Sequence, residues 1–154
     1  MTVTTTTTPG TTNIADLEPH LYGAAIALGR EADAAAIDAG LSTGFVEVLK
    51  MRVSQLNRCA FCLRWHSRDA LAKGETADRL AVLPAWRETS YFDEAERAAL
   101  ALVEHVALIA ERAGEAPDTS AMTPEQVAAV AWVAIAIGTL NRIAVTSAYA
   151  VGPA

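Results

Sequence analysis

The chain has 154 residues, 52 % of them hydrophobic and 19 % charged, with a formal net charge of −6. That is the length of one ordinary domain with enough apolar material for a core, and too much for a disordered chain. The acidic balance and the lack of a basic stripe argue against nucleic-acid binding. Alanine-rich cores gain burial by association, so an oligomer is expected.

Residues 1–13, MTVTTTTTPGTTN, are polar and low in complexity and are expected to form a disordered or extended tail. They lack the positive and apolar regions of a signal peptide, so the cytoplasm is the expected location. Strand-like alternation is almost absent and helical period dominates, which predicts an all-α bundle of about six helices over residues 14–154. The first helix is expected from Ile14 to Ala36, closed by Gly40. The second runs from Thr43 to about Leu56. The third follows Asn57, read as its N-cap, and ends near Lys73 with Gly74 as its left-handed C-cap. A short helix from Thr76 to Leu83 is stopped by Pro84. Asp93 and Glu96 form a capping-box pattern for the next helix, expected to end near Gly114. Thr123, Pro124 and Gln126 open the last helix, which should reach about Tyr149. Its apolar stretch, Val127 to Leu140, is shorter than a bilayer span and reads as a buried core helix, so no membrane partner is expected.

The chemistry is concentrated between Glu47 and His66. Cys59, Cys62 and His66 are separated by three and four residues, so on one helix they share a face. His66 is then placed to take the Cys62 thiol proton and support the reactive thiolate. Near a helix N-terminus, unpaired N–H groups and the helix dipole favour the anionic sulfur as well. Lys50, Arg52, Arg58, Arg64 and Arg68 add positive charge, though their plainer reading is a solvated helix face. Glu47 is twelve residues before Cys59, not a whole number of turns, so it meets the cysteines only if the chain breaks near Asn57. There it would orient His66 or relay protons.

Zinc held by the cysteines with His66 and Glu47 is the rival reading, but structural zinc sites mostly use two ligand pairs and no second pair is seen. No metal ligands are therefore assigned. A non-enzymatic redox sensor stays open. His20 reads as a surface residue and His105 as a packing histidine. Trp65, Trp86 and Trp132 read as core or interface residues.

The run E-x11-C-x2-C-x3-H from Glu47 to His66, containing Ser54–Gln55–Leu56–Asn57, resembles the AhpD-like alkylhydroperoxidase branch of the carboxymuconolactone decarboxylase superfamily. The likeness continues at Asp69–Ala70, Lys73–Gly74–Glu75–Thr76, Ala85–Trp86–Arg87–Glu88–Thr89 and Glu96–Arg97–Ala98–Ala99–Leu100. It closes at Asn141–Arg142–Ile143–Ala144–Val145. The resemblance implies an all-helical fold assembled as a homotrimer or homohexamer, acting on small-molecule hydroperoxides. It implies that Cys62 attacks the peroxide, that Cys59 resolves the sulfenic acid into a disulfide, and that His66 and Glu47 relay protons. It implies no bound cofactor, only a redox-active disulfide reset by an external dithiol such as a lipoylated or thioredoxin-like protein. One departure stands out. The founding peroxidase has a histidine just before its second cysteine, and here that place is Phe61, which shortens the relay. The decarboxylase branch normally lacks the cysteine pair.

Overall fold

A computed structural model describes residues 6–111 and 116–152. Among them are seven α-helices: α1 (Ile14–Leu17), α2 (Pro19–Asp38), α3 (Thr43–Leu56), α4 (Ala60–Ala72), α5 (Ala77–Val82), α6 (Glu94–Ala107) and α7 (Pro124–Thr146). Two 3-10 turns, Leu83–Glu88 and Ile109–Glu111, follow α5 and α6. The all-α expectation holds, and the described residues form no strand.

The expected first helix is two. Pro19 disfavours helical geometry in the residue before it, so Glu18 leaves the helical region and α2 restarts with Pro19 at its first position. α6 ends at Ala107, well short of the expected Gly114, which lies outside the described residues. The last helix stops at Thr146 rather than Tyr149. The capping boxes of Asp93 with Glu96 and of Thr123 with Gln126 form as the sequence predicts. Each satisfies two backbone N–H groups that the helix leaves unpaired.

α3 is the hub. Ten of its residues are buried, including Val48, Leu49 and Val53, and it packs against α4, α6 and α7 while α2 lies along α7. Leu100 and Val103 of α6 and Val130, Val133 and Ile137 of α7 complete this core. Burying each such side chain is worth about 1.5–3 kcal/mol. At 23 residues α7 is long and apolar enough to cross a membrane by length and composition, a length the Val127–Leu140 reading understated. Half of its most apolar stretch is packed inside the bundle.

Four helices end alike. In each, the N–H two residues past the C-cap bonds back to the first residue of the last turn: Leu41 to Ala36, Cys59 to Ser54, Glu75 to Ala70 and Tyr149 to Ala144. This Schellman closure requires a left-handed residue just after the cap. Gly40 (φ 92°) and Gly74 (φ 97°) supply it without strain, whereas Arg58 (φ 53°) and Ala148 (φ 46°) carry a Cβ into that region. The two strained turns flank the cysteine site.

Of the threonine-rich segment expected to be disordered or extended, residues 1–5 lie outside the described residues, and the part from Thr6 onward has a defined place. Thr7 forms an antiparallel bridge with Tyr149. Ala150 donates to the Thr6 carbonyl (2.8 Å) and Thr8 to that of Ala148 (3.2 Å). Asn13 caps α1, and the Ile14 N–H donates to the buried Ser147 hydroxyl.

Candidate redox site

The turn between α3 and α4 builds the site. Asn57 closes α3 and is not the cap of the next helix; Arg58 takes the left-handed turn, and Cys59 itself is the N-cap of α4. Its Sγ accepts the Cys62 backbone N–H at 3.3 Å. Cys62, three residues on, sits in the first turn of α4, where the free N–H groups and the helix dipole favour negative charge. The two sulfurs form a disulfide, with their Cα atoms 5.4 Å apart. Both residues are buried, Cys59 at 1 % and Cys62 at 5 % exposure.

The break at residues 57–59 folds α4 back along α3, as the Glu47 hypothesis required. The Glu47 carboxylate meets His66 Nδ1 at 2.6 Å, so the other ring nitrogen is free for chemistry. Its other oxygen accepts from Lys73 Nζ (2.6 Å) and Lys50 Nζ (2.9 Å). Lys50 also pairs with Asp33 of α2 at 2.7 Å. Burial alone would raise the Glu47 carboxyl. The hydrogen bond from His66, the charges of Lys50 and His66 and the bond from Lys73 outweigh it and hold the group far below the usual carboxylate range. Burial would lower Lys73, but the bond and charge of Glu47, with Asp69 and Asp33, push it up. Glu47 is thus a fixed anion that fixes the His66 ring.

Lys50 and Lys73 are two residues whose place in the site sequence reasoning missed. The sequence groups Lys50 with a solvated basic face, but it is buried in an ion-pair network. Its spacing of three from Glu47 was the available signal. Lys73 reaches Glu47 only because the 73–75 turn lies against Gly44, where a Cβ would stand 3.1 Å from the Lys73 carbonyl oxygen. Another missed residue is Asn141 of α7. It accepts from the Asn57 amide (2.9 Å) and donates to the Ser54 hydroxyl (3.0 Å), pinning the end of α3 just before the cysteines.

Two clefts meet at His66. One, of about 200 Å³, is apolar and is lined by Cys62, His66, Phe61, Trp65, Tyr22 and Tyr149 among others; Cys59 is not in its wall. The second, of about 320 Å³, is charged and holds Glu47, Lys50, Asp69 and Lys73 with Arg30 and Asp33 at α2. Phe61 stacks against Trp65 at 6.3 Å and meets Tyr149 edge-on at 5.0 Å, so it forms an aromatic wall. Glu47, His66 and Asp69 each place one donor atom within 4.8 Å of the others, close enough for a metal ion. Two ammonium groups already occupy Glu47, however, and would repel a divalent cation there.

Residues 20–105 match the sequence pattern of the carboxymuconolactone decarboxylase family. The chain belongs to that family. Over 63 residues it is 49 % identical to an uncharacterized protein of Bacillus subtilis, YdfG; the match covers 41 % of this chain and 43 % of that protein, less than half of its length. The fold is similar to the crystal structure of an Agrobacterium tumefaciens protein of unknown function, described as a candidate antioxidant defence protein AhpD. The TM-score is 0.78 at 31 % identity, covering 93 % of this chain and 97 % of the other. The AhpD-like resemblance read from the motifs between Glu47 and Val145 is thus matched by the fold over 93 % of this chain.

Proposed function

We propose that this protein is a thiol-dependent peroxidase of the AhpD kind. The observation that carries the reading is that Cys62, and not Cys59, opens on an apolar cleft shared with His66, whose ring is fixed by the anionic Glu47. In the reduced protein His66 accepts the Cys62 proton. The thiolate attacks the terminal oxygen of a hydroperoxide, the O–O bond breaks, and the leaving alkoxide takes the proton from His66. The product is an alcohol and a Cys62 sulfenic acid. The Cys59 thiolate then attacks the Cys62 sulfur and expels hydroxide, which is protonated to water, and the disulfide closes. One helical turn separates the sulfurs, so this step is effectively intramolecular. An external dithiol, such as a lipoylated or thioredoxin-like protein, returns two electrons. The apolar lining favours alkyl over hydrogen peroxide. A homotrimer or homohexamer is the assembly proposed.

Peroxide consumption under dithiol excess tests the reading, with intact mass followed after one equivalent of an organic hydroperoxide. Cys62→Ser should abolish turnover, and Cys59→Ser should stop at a sulfenic acid on Cys62. Full activity in Cys62→Ser would overturn the assignment of the attacking sulfur. Absence of peroxide loss in the reduced wild type would overturn the peroxidase reading itself.

A further inference from the structure

The Cys59–Cys62 disulfide lies in a small cluster of its own, packed with Ala15, Ala144 and Tyr149 and flanked by Tyr22, Phe61 and Ile143. Two of these residues come from outside the α2–α7 bundle: Ala15 from the one-turn α1, and Tyr149 from the segment after α7. They are joined to each other. The 6–8 segment pairs with 148–150 through the Thr7–Tyr149 bridge, and Ser147 holds the start of α1. Arg64 of α4 donates to the Gly152 carbonyl at 3.0 Å. The result is a strap laid across the disulfide, turned by the left-handed Ala148 and resting its Tyr149 ring on Phe61.

The bonds that pair the strap's 6–8 and 148–150 segments lie near solvent, and such bonds open locally without global unfolding. Beneath it, both sulfur-bearing residues are almost wholly covered. A thiolate attacking a disulfide must approach its target sulfur directly. Tyr149 lines the cleft on Cys62 and is the part of the wall that does not belong to a long helix. We propose that Tyr149, held on Phe61 by the paired 6–8 and 148–150 segments, is the gate that sets which thiol reductants reach Cys62. With the strap open, a reductant thiolate attacks Cys62 Sγ, forms a mixed disulfide and releases Cys59 as a thiolate that takes a proton from water. A second reductant thiolate attacks the reductant sulfur of that mixed disulfide and frees Cys62. The reductant is oxidised to its disulfide and the protein gains two electrons. Phe61, where the founding peroxidase has a histidine, gives up a proton carrier and supplies the seat of the gate.

The test needs no peroxide, so it stands apart from the peroxidase reading. The full-length oxidised protein is reduced with dithiothreitol or with the bulkier reduced glutathione, and free thiols are counted by mass after alkylation. Thr8→Pro removes the N–H and hydroxyl that bind the Ala148 carbonyl without touching the cysteine cluster. Tyr149→Ala removes the ring, and Tyr149→Phe keeps it. Thr8→Pro and Tyr149→Ala should be reduced roughly tenfold faster by dithiothreitol, and by a larger factor with glutathione, as expected when closing bonds of this kind are lost. Tyr149→Phe, which keeps the ring on Phe61, should stay within threefold of the wild type. Acceleration below about threefold in the first two variants, on that same scale, would overturn the proposal by showing that Cys62 is reached with the strap closed. Should Tyr149→Ala fail to fold, Thr8→Pro decides alone by the same threshold.

Discussion

Replacing Glu47 with glutamine removes a charge while keeping the shape, and its cost can be worked from the contacts. The carboxylate is 2 % exposed and binds His66, Lys50 and Lys73 at 2.6–2.9 Å. Removing one partner of a buried ion pair costs about 3–5 kcal/mol. Two features reduce that here: Lys73, with 39 % of its side chain exposed, can turn to water, and Lys50 keeps Asp33. Glu47→Gln should therefore cost about 2–3 kcal/mol at pH 7, or roughly 5–10 °C in Tm for a chain of this size. Glu47 is held below its ordinary value of 4.5 in the folded state. Its contribution is thus complete above that value and is lost as pH falls toward the folded-state pKa. Each pH unit below 4.5 should remove about 1.4 kcal/mol of the difference between wild type and variant. Urea denaturation of both proteins at equal concentration, at pH 7 and pH 3, measures this directly. The difference should shrink by about 2 kcal/mol between the two pH values, and Glu104, common to both proteins, cancels. A difference that is unchanged or larger at pH 3 would refute the view that Glu47 is a stabilised anion.

Asn141→Leu leaves the fully buried Ser54 hydroxyl and the Asn57 amide without their partner, and urea titration should show a loss of about 2–4 kcal/mol. Gly44→Ala drives a Cβ to 3.1 Å from the Lys73 carbonyl, so thermal melting should show a loss of about 1–3 kcal/mol. Arg58→Gly relieves a left-handed residue worth about 1–2 kcal/mol, offset by about 0.5–1 kcal/mol of chain entropy in the unfolded state. Its Tm should rise slightly, whereas Gly74→Ala, at φ 97°, should lower it.

The parts of the fold visible in the sequence are those fixed by local chemistry. Asp93 with Glu96 and Thr123 with Gln126 cap their helices because each oxygen reaches an N–H three residues away, and Gly40 and Gly74 mark left-handed turns. The α3–α4 turn misled because asparagine suits either end of a helix, and nothing in an arginine signals a positive φ. Asn57 therefore reads as an N-cap when it ends α3, and Cys59 takes the cap instead. The Glu47–His66 pairing was legible as a hypothesis, because a break before Cys59 was the one way to bring them together. The lysine clamp was not, because the Lys73–Glu47 contact depends on two helices lying back to back. Tyr149 was hidden for the same reason: its partners include Thr7, in a segment with no periodicity at all, and Phe61.

The two sulfurs are unlike because of how α4 begins. At an N-cap the side chain turns back over the first turn to meet its N–H groups, which is why Cys59 Sγ receives the Cys62 N–H and is sealed from the cleft. Three residues on, the side chain projects from the helix flank, and Cys62 shares the cleft with His66 one turn further along. In the proposed cycle the first sulfur must leave as a thiolate when the disulfide is reduced, and the second must meet molecules from outside. A low-energy leaving group needs donors more than access, and an attacking group needs access and a nearby base. The strained turn at Arg58 is the feature that places the helix start at Cys59, while the spacing of four within α4 keeps Cys62 and His66 on one face. A left-handed arginine is thus tolerated where the helix start must fall at Cys59 and nowhere else.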